Sequence, residues 1–161
     1  MKISEILATY DTDKVREHSY GRVYDKLFED FNQNDKLNIL EVGTQKGGSL
    51  CAWRDYFPNS SITGIDIVDV VKPEYRRKDI EYVIKDIKDY KSDIVYDIII
   101  DDGSHSLGDV LYVVKNLKYK LLIIEDVQNP ESWVNFISVP YSVFDLRHVK
   151  GNYDDFLIIC S

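Results

Sequence analysis

Adjacent carboxylates follow two short apolar runs in this sequence. Asp101 and Asp102 come directly after three isoleucines, and Glu125 and Asp126 follow a run of leucine and isoleucine. Apolar runs of this length indicate strands buried on both faces, where an unpaired carboxylate is costly. The acidic residues are therefore predicted at or beyond the strand ends, where an open parallel α/β sheet binds ligands. With His105 nearby, they offer oxygen ligands for a hard metal ion and a base.

A glycine-containing loop follows an earlier apolar strand and opens a predicted helix. The loop runs from Glu41 through Gly43 to Gly47. Gly43 permits a sharp turn at which a ligand can touch the backbone. The G-x-G-x-x-G spacing of dinucleotide enzymes is absent, because Gln45 stands where its second glycine belongs. Glu41 would repel a pyrophosphate and suits an ammonium group, so the loop predicts a positively charged ligand. The alternative is that these glycines only serve a tight turn.

Acidic residues also end the next two predicted strands. Asp66 is placed to accept hydrogen bonds from ribose hydroxyls, and Asp86 to contact an adenine edge. Together with Glu41, they meet the three demands of S-adenosylmethionine, which are an amino acid, a ribose and an adenine. The recurrence of acidic residues at three successive strand ends favours this cofactor over a purely structural turn.

Composition limits the classes of function. The chain has 161 residues, 44% of them hydrophobic, and a net charge of −8. This length predicts a single folded domain over 1–161. The negative charge disfavours nucleic acid and anionic membranes as partners, since both require clustered Lys and Arg. The only basic cluster (Lys72, Arg76, Arg77 and Lys78) is interpreted as a solvated loop.

Location is predicted from what the sequence lacks. No N-terminal stretch resembles a signal peptide, and no apolar run approaches the about 20 residues that span a bilayer. Cys51 and Cys160 both lie in apolar patterns and are interpreted as reduced core thiols. These observations predict a cytoplasmic protein.

Strands alternate with helices along the chain, which predicts an α/β fold with a mostly parallel, seven-stranded sheet. The predicted strands cover 37–43, 61–67, 80–84, 97–100, 121–124, 141–146 and 155–160. The predicted helices cover 20–31, 47–57, 107–117 and 131–137. The short polar turn at 148–153 can join only antiparallel strands, so the sheet should end in a hairpin. The short stretch 86–96 should hold a turn in place of a crossover helix.

The chain resembles the class I S-adenosylmethionine-dependent methyltransferases, which have a Rossmann-like fold with helices on both faces of the sheet. More narrowly, it resembles the metal-dependent sugar O-methyltransferases of macrolide tailoring, of the macrocin and mycinamicin type. The resemblance covers nearly the whole chain: TDK…HSYGRVYDKLF at 12–28, LEVGTQKGGSL at 40–50, ITGIDI at 62–67, IIIDDGSH at 98–105 and IIED at 123–126. DDGSH is the most diagnostic motif.

The resemblance implies roles for individual residues. The residues assigned to the cofactor S-adenosylmethionine are Glu41, Gly43, Thr44, Gly47, Ser49, Asp66, Ile67, Asp86 and Asp101. The ligands assigned to Mg²⁺ or a similar divalent cation are Asp102, Glu125 and Asp126, with His105 as general base. An error of one position in register would exchange Asp101 and Asp102. The helical segment 1–35 is expected to cover the active site, offering Lys14, His18 and Tyr20.

The predicted function is therefore methyl transfer to a hydroxyl of a small acceptor, with a glycosyl group as one candidate. A protein that binds S-adenosylmethionine or S-adenosylhomocysteine without transferring a methyl group is the alternative. A nicotinamide-dependent oxidoreductase is a weaker one, because the dinucleotide motif is missing. The macrolide enzymes are longer, so the acceptor pocket is expected to be open or completed by a second subunit in a homo-oligomer. Trp133 fits a pocket wall and a buried core position equally well.

Overall fold

The computed structural model describes every residue from Met1 to Ser161. Its strands are β1 (Asn38–Val42), β2 (Ser61–Asp66), β3 (Ile80–Ile84), β4 (Val95–Asp101), β5 (Lys118–Ile124), β6 (Tyr141–Asp145) and β7 (Phe156–Cys160). Its helices are α1 (Ile3–Leu7), α2 (Asp13–Arg16), α3 (Gly21–Phe28), α4 (Gly48–Tyr56), α5 (Leu107–Asn116), α6 (Pro130–Trp133) and α7 (Arg147–Lys150).

The strands form one sheet in the order β3-β2-β1-β4-β5-β7-β6. Strands β1 to β5 are parallel, and β7 runs antiparallel to both β5 and β6. This confirms the predicted mostly parallel sheet with a terminal hairpin. Because the first five strands share one direction, their carboxyl ends lie along one edge of the sheet. We call this edge the carboxyl edge.

Two hydrophobic cores cover the two faces of the sheet. The apolar run of β4 is divided between them, because Ile98 and Ile100 join one core and Ile99 joins the other. This is the alternation expected of a strand buried on both sides. The N-terminal helices and α4 cover the first face, and α5 and α6 cover the second. Trp133 is buried in the second core, which favours the core interpretation of this residue.

Some element boundaries differ from those predicted. Strands β4 and β5 begin earlier than expected, at Val95 and Lys118, because these two residues already pair with each other in the sheet. The first residues of β5 are polar, so the hydrophobic pattern that marks a buried strand does not reach them. A helical turn, α7, occupies part of the predicted polar loop before β7. Between β3 and β4 only a short 3₁₀ turn (Ile87–Asp89) is found, as predicted.

The two cysteines lie in the core, as predicted, and most of the basic cluster is paired. Cys51 and Cys160 are buried and unpaired. Three members of the basic cluster each contact an aspartate, with Lys72 against Asp11, Arg76 against Asp69 and Arg77 against Asp55. None of the helices combines the length and the apolar character needed to cross a membrane.

Candidate active site

Two adjoining cavities lie at the carboxyl edge. The first has a volume of about 240 Å³ and lies between the segment around α2 and the loop that follows β1. The second has a volume of about 260 Å³ and lies beyond the ends of β2, β3 and β4. Gly43, Gln45 and Asp102 line both cavities. The two spaces are therefore neighbours that share these three residues.

Seven of the nine residues assigned to the cofactor line these cavities. Gly43, Thr44, Gly47 and Ser49 line the first cavity, and Gly43, Asp66, Ile67 and Asp86 line the second. Asp66 is oriented by the loop, since it accepts hydrogen bonds from the backbone N–H groups of Gln45 (3.0 Å) and Ile67 (2.7 Å). Asp86 accepts one from the N–H of Lys88 at 2.9 Å. Both carboxylates are thus fixed beside the same space.

Glu41 lines neither cavity and is fully buried. It accepts hydrogen bonds from Ser49 Oγ at 2.8 Å and from Trp53 Nε1 at 2.9 Å, and Lys14 Nζ lies 3.5 Å from it. Burial, with the neighbouring Asp102, raises the pKa of Glu41 to about 7 although Lys14 opposes the shift. Through these hydrogen bonds Glu41 links β1 to α4. Its contact with the ammonium group of a cofactor stays a prediction.

The two adjacent aspartates after β4 have different surroundings. Asp101 is buried, lines neither cavity, and its Oδ2 has no hydrogen-bond partner. Burial, reinforced by the charge of Asp102, raises the pKa of Asp101 to about 7. Asp102 borders both cavities and continues the sheet, since its N–H donates to the Val42 carbonyl at 2.9 Å. The geometry therefore favours Asp102 over Asp101 as the residue that meets ligands.

A cluster of metal-ligating side chains lies beside Asp102. Asp102, His105 and Asp126 each offer one ligand atom, and these atoms lie within 4.8 Å of one another. His105 Nε2 is 4.0 Å from Asp102 Oδ1 and 3.7 Å from Asp126 Oδ2. His105 and Asp126 both have positive φ angles, 54° and 51°. Such angles are uncommon for residues with a side chain and are often retained at functional sites.

Glu125, the third residue assigned to the metal, points to protein donors instead. Its Oε2 lies 2.7 Å from Lys14 Nζ, and its Oε1 accepts a hydrogen bond from the Tyr24 hydroxyl. Lys14 also lies 2.7 Å from Asp102 Oδ2. Burial alone would lower the pKa of Lys14, but attraction to Asp102 and Glu125 outweighs it and holds that pKa well above its ordinary value.

Further residues of the N-terminal segment hold Asp126. The Tyr20 hydroxyl donates to Asp126 Oδ1, and the His18 ring stacks on the Tyr20 ring at a centroid distance of 5.0 Å. His18 Nδ1 contacts the buried Asp155 and lies 3.6 Å from Asp126 Oδ1. These two carboxylates raise the pKa of His18, although burial opposes the rise. The segment therefore contacts all three carboxylates assigned to the metal.

With this geometry established, known proteins can be compared with the chain. No protein-family model matches it. Mycinamicin VI 2''-O-methyltransferase of Micromonospora griseorubida is 32% identical over 119 residues, which are 64% of this chain and 29% of that protein. The 8-demethyl-8-alpha-L-rhamnosyl tetracenomycin-C 2'-O-methyltransferase of Streptomyces olivaceus is 30% identical over 165 residues, covering 91% of this chain and 39% of that protein. The chain thus spans well under half the length of these curated relatives.

Solved structures of methyltransferases have the same architecture. MycE methyltransferase from the mycinamycin biosynthetic pathway, in complex with Mg and SAH, matches 100% of this chain and 49% of its own at a TM-score of 0.66 and 23% identity. The N-methyltransferase NodS of Bradyrhizobium japonicum, in complex with S-adenosyl-L-homocysteine, matches 98% of this chain and 94% of its own at a TM-score of 0.58 and 14% identity.

The chain has the class I methyltransferase fold. Within it, the chain is similar in sequence to O-methyltransferases acting in macrolide and related pathways, as its motifs predicted. This confirms the mostly parallel α/β sheet predicted from the alternation of strands and helices, and the methyltransferase fold implied by the resemblance.

Several residues of this candidate site were not predicted from the sequence. Tyr24 has the helical spacing of a core residue on the apolar face of α3, yet its hydroxyl reaches Glu125. Trp53, which holds Glu41, carries no sequence signal at all. Arg16 and Glu17 line the first cavity, and only their closeness to the TDK motif could have drawn attention to them.

Replacing Tyr24 with phenylalanine is expected to destabilise the protein. The substitution removes one donor to the buried Glu125 carboxylate, and an unmet buried acceptor costs about 1–3 kcal/mol. Tyr153→Phe is the matched control, because Tyr153 is exposed and a surface change of this kind costs within about 0.5 kcal/mol. Urea unfolding measures both free energies. Equal losses in the two variants would show that the Tyr24 hydroxyl contributes nothing to stability.

Proposed function

We propose that this chain is an S-adenosylmethionine-dependent O-methyltransferase domain that uses a divalent cation, Mg²⁺ by preference. One observation carries the proposal. Asp102 borders the two cavities suited to the methyl donor and also belongs to the cluster with His105 and Asp126. A single side chain therefore joins a donor site to a cation site. The similarity to enzymes named as sugar and macrolide O-methyltransferases supports a glycosyl hydroxyl as acceptor.

The second cavity suits the nucleoside part of the donor. Asp66 at the end of β2 can accept hydrogen bonds from the ribose hydroxyls, and Asp86 follows β3 on the side suited to an adenine. Ile67 and Ile87 supply apolar surface for the base in the same cavity. Since the loop between β1 and α4 lacks a pyrophosphate motif, a nucleoside without phosphates fits this arrangement best.

The first cavity suits the amino-acid part of the donor. Arg16 can pair with its carboxylate, and Asp13 and Glu17 can accept from its ammonium group. This provides acidic partners for the ammonium that do not depend on the buried Glu41. Gly43 separates the two cavities, so a donor that fills both passes its sulfur close to this residue and to Asp102.

The donor set beside Asp102 fits magnesium. Mg²⁺ is bound in proteins through one or two carboxylates and keeps several waters. Asp102 Oδ1 and Asp126 Oδ2 lie 4.0 Å and 3.7 Å from His105 Nε2, so both oxygens face the same small space. Asp102 and Asp126 would hold the ion, and Glu125, the third assigned ligand, directly precedes Asp126 in the chain and contacts Lys14 and Tyr24 in this structure. When bound, the ion lowers the pKa of an acceptor hydroxyl.

His105 is proposed as the base for this reaction. Its Nε2 accepts the proton of the acceptor hydroxyl, while the hydroxyl oxygen forms a bond to the methyl carbon and the bond from carbon to sulfur breaks. The sulfur keeps the electron pair, so S-adenosylhomocysteine leaves as a neutral thioether. Asp102 and Asp126 flank the imidazole and stabilise it once it is protonated. The protein's further contribution is to hold the two reactants in line.

Direct binding and transfer assays test the proposal. Calorimetry with S-adenosylhomocysteine is expected to show binding with one ligand per chain. Transfer of a labelled methyl group from S-adenosylmethionine is measured with mycinamicin VI and with simple rhamnosides as acceptors. Absence of S-adenosylhomocysteine binding would overturn the proposal. Binding without transfer to any hydroxylated acceptor would restrict the protein to a cofactor-binding role.

Removal of divalent cations is expected to abolish methyl transfer while leaving the fold intact. The carboxylates of Asp102 and Asp126 are held by Lys14 and Tyr20 without any ion, so the site does not depend on metal for its shape. Activity in EDTA, activity after readdition of excess Mg²⁺, and circular dichroism in both conditions provide the measurement. Full activity in EDTA would contradict the role of the metal, and loss of the circular dichroism signal would contradict a site shaped by protein contacts.

A further inference from the structure

The strand order shows from which side an acceptor can approach. Asp102 borders both donor cavities, whereas Asp126, its partner in the cluster with His105, lines neither. In the sheet β4 is followed by β5 and then by β7, which runs antiparallel and therefore begins at the carboxyl edge. Methyl transfer needs the acceptor oxygen opposite the sulfur, in line with the breaking bond. The acceptor should thus lie over the segments after β5 and before β7.

The most exposed aromatic side chain of the protein stands on this side. Tyr153 lies in the turn that precedes β7, and 66% of its surface is exposed. Its hydroxyl nevertheless has a fixed partner, because it donates to Gln128 Oε1 at 2.7 Å. Gln128 Nε2 in turn donates to the backbone carbonyl of Asp126 at 3.0 Å. One glutamine therefore ties an open phenol ring to the residue assigned to the metal.

The turn that carries Tyr153 is itself held on both sides of this residue. Before it, Lys150 Nζ donates to three backbone carbonyls of segment 15–18 at 2.8 to 3.0 Å, and Asn152 Nδ2 donates to another at 2.9 Å. After it, the Asp154 carbonyl accepts from the Tyr20 hydroxyl at 3.2 Å. Binding residues typically stand on loops that a rigid scaffold positions. The contacts of this turn provide such a scaffold for the Tyr153 ring.

A fixed, exposed phenol ring suits one face of a sugar. Tyrosine offers a large, rigid contact surface at low cost in conformational entropy. A pyranose has an apolar face of C–H groups and a rim of hydroxyls, so its C–H face can pack on the ring while its hydroxyls stay hydrogen-bonded. Asp126 and Asp154 lie close by in the chain, and their charges disfavour an anionic acceptor. The arrangement therefore favours a neutral glycosyl group.

We propose that Tyr153 is the packing surface for a neutral sugar ring of the acceptor, and that Gln128 positions it beside the cluster of Asp102, His105 and Asp126. This inference rests on the proposed function and names the residue that selects its acceptor. Contacts of the sugar with Tyr153 are made away from the reacting hydroxyl, and they hold that hydroxyl in place for the transfer.

Substitutions of Tyr153 test the inference with methyl α-L-rhamnopyranoside as acceptor. In Tyr153→Ala the KM for this sugar is expected to rise about tenfold, the change that about 1.4 kcal/mol of lost contact produces. The kcat and the KM for S-adenosylmethionine should stay unchanged, because the ring holds the sugar equally in the ground state and the transition state. Tyr153→Phe keeps the ring and should stay much closer to the wild type. Tyr153→Leu keeps bulk without an aromatic face and should behave as Tyr153→Ala.

Tyr141→Ala is the matched control. Tyr141 is also exposed, at 43%, but it pairs with Cys160 at the end of β7 that lies away from the carboxyl edge. Its loss should leave the KM for the rhamnoside as in the wild type. An unchanged KM in Tyr153→Ala would overturn the inference, and so would an equal rise in the Tyr141 and Tyr153 variants.

A binding measurement separates this inference from the proposed function. Saturation-transfer difference NMR of the rhamnoside is recorded with the protein alone and with S-adenosylhomocysteine. The strongest signals are expected from the C–H protons of one face of the sugar, lost in Tyr153→Ala and kept in Tyr141→Ala. This pattern in a protein that methylates no sugar would refute the transferase and support the Tyr153 site. Methyl transfer to the rhamnoside that is independent of Tyr153 would refute the inference alone.

Discussion

Asp102→Asn is expected to lower kcat/KM for methyl transfer by about 10²–10³, the effect of removing one preorganised electrostatic group. The substitution removes the charge beside His105 and also the charged partner that Lys14 contacts at 2.7 Å. Loss of a carboxylate ligand should also weaken Mn²⁺ binding by at least about tenfold. Altering a residue that only supports a metal ligand already costs about that much, and Asp102 is proposed as a ligand itself. Transfer kinetics and Mn²⁺ titration measure the two effects.

Asp101→Asn is the matched control for this experiment. Asp101 is adjacent in sequence and equally acidic, yet it lines neither cavity and its Oδ2 contacts no donor. An asparagine at 101 is therefore expected to leave Mn²⁺ affinity and transfer close to those of the wild type. The reverse result, with Mn²⁺ binding lost in Asp101→Asn and kept in Asp102→Asn, would show that the two residues exchange roles.

The ends of the strands could be located from the sequence because each buried apolar run is followed by a charged residue. Asp66, Asp86 and Asp102 each follow an apolar run, and the penalty for burying an unpaired charge places them at the carboxyl edge. A parallel sheet then brings such residues together without any knowledge of the helices. This reasoning is local, and it therefore works at the level of single strands.

The directions of Glu41 and Glu125 could not be predicted in the same way. Period-two alternation shows that each shares a face with the isoleucine two positions before it, but not which helices cover that face. The covering helices carry Lys14, Tyr24 and Trp53, whose polar atoms make burial of the two glutamates tolerable. These contacts join residues far apart in the chain, and a helical pattern of apolar residues hides the hydroxyl of Tyr24.

The backbone at His105 and Asp126 could not be predicted either. Both residues have positive φ angles; histidine and aspartate adopt these more readily than most residues, but they do so too seldom to mark the conformation in a sequence as glycine does. Asp126 lies two residues beyond the end of β5, where strand alternation no longer applies, and its carboxylate lies beside Asp102 and His105. The cluster beside Asp102 therefore depends on a local departure from regular strand geometry, held in place by Tyr20 and His18.

Gly43→Ala is expected to have the largest effect on stability of any single methyl addition in this site. An added Cβ at residue 43 would lie 2.0 Å from the carbonyl oxygen of Asp102 and 2.6 Å from its carbonyl carbon. Both are backbone atoms at the end of β4, so they cannot move aside as a flexible side chain could. The φ angle of Gly43 is also positive, at 90°. A loss above about 4 kcal/mol, exceptional for one substitution, is expected in the free energy of unfolding.

Gly151→Ala separates the two causes of this loss. Gly151 has a similar φ angle of 81°, but an added Cβ there meets nothing within 4 Å. Its substitution should therefore cost only the about 1–2 kcal/mol of a left-handed conformation for a residue with a Cβ. Urea unfolding of the two variants gives the difference, which measures how closely the loop after β1 approaches Asp102. Equal losses would mean that the backbone conformation alone requires glycine at position 43. The close approach of this loop to Asp102, on which the shared donor and cation site depends, would then contribute nothing measurable to the free energy of unfolding.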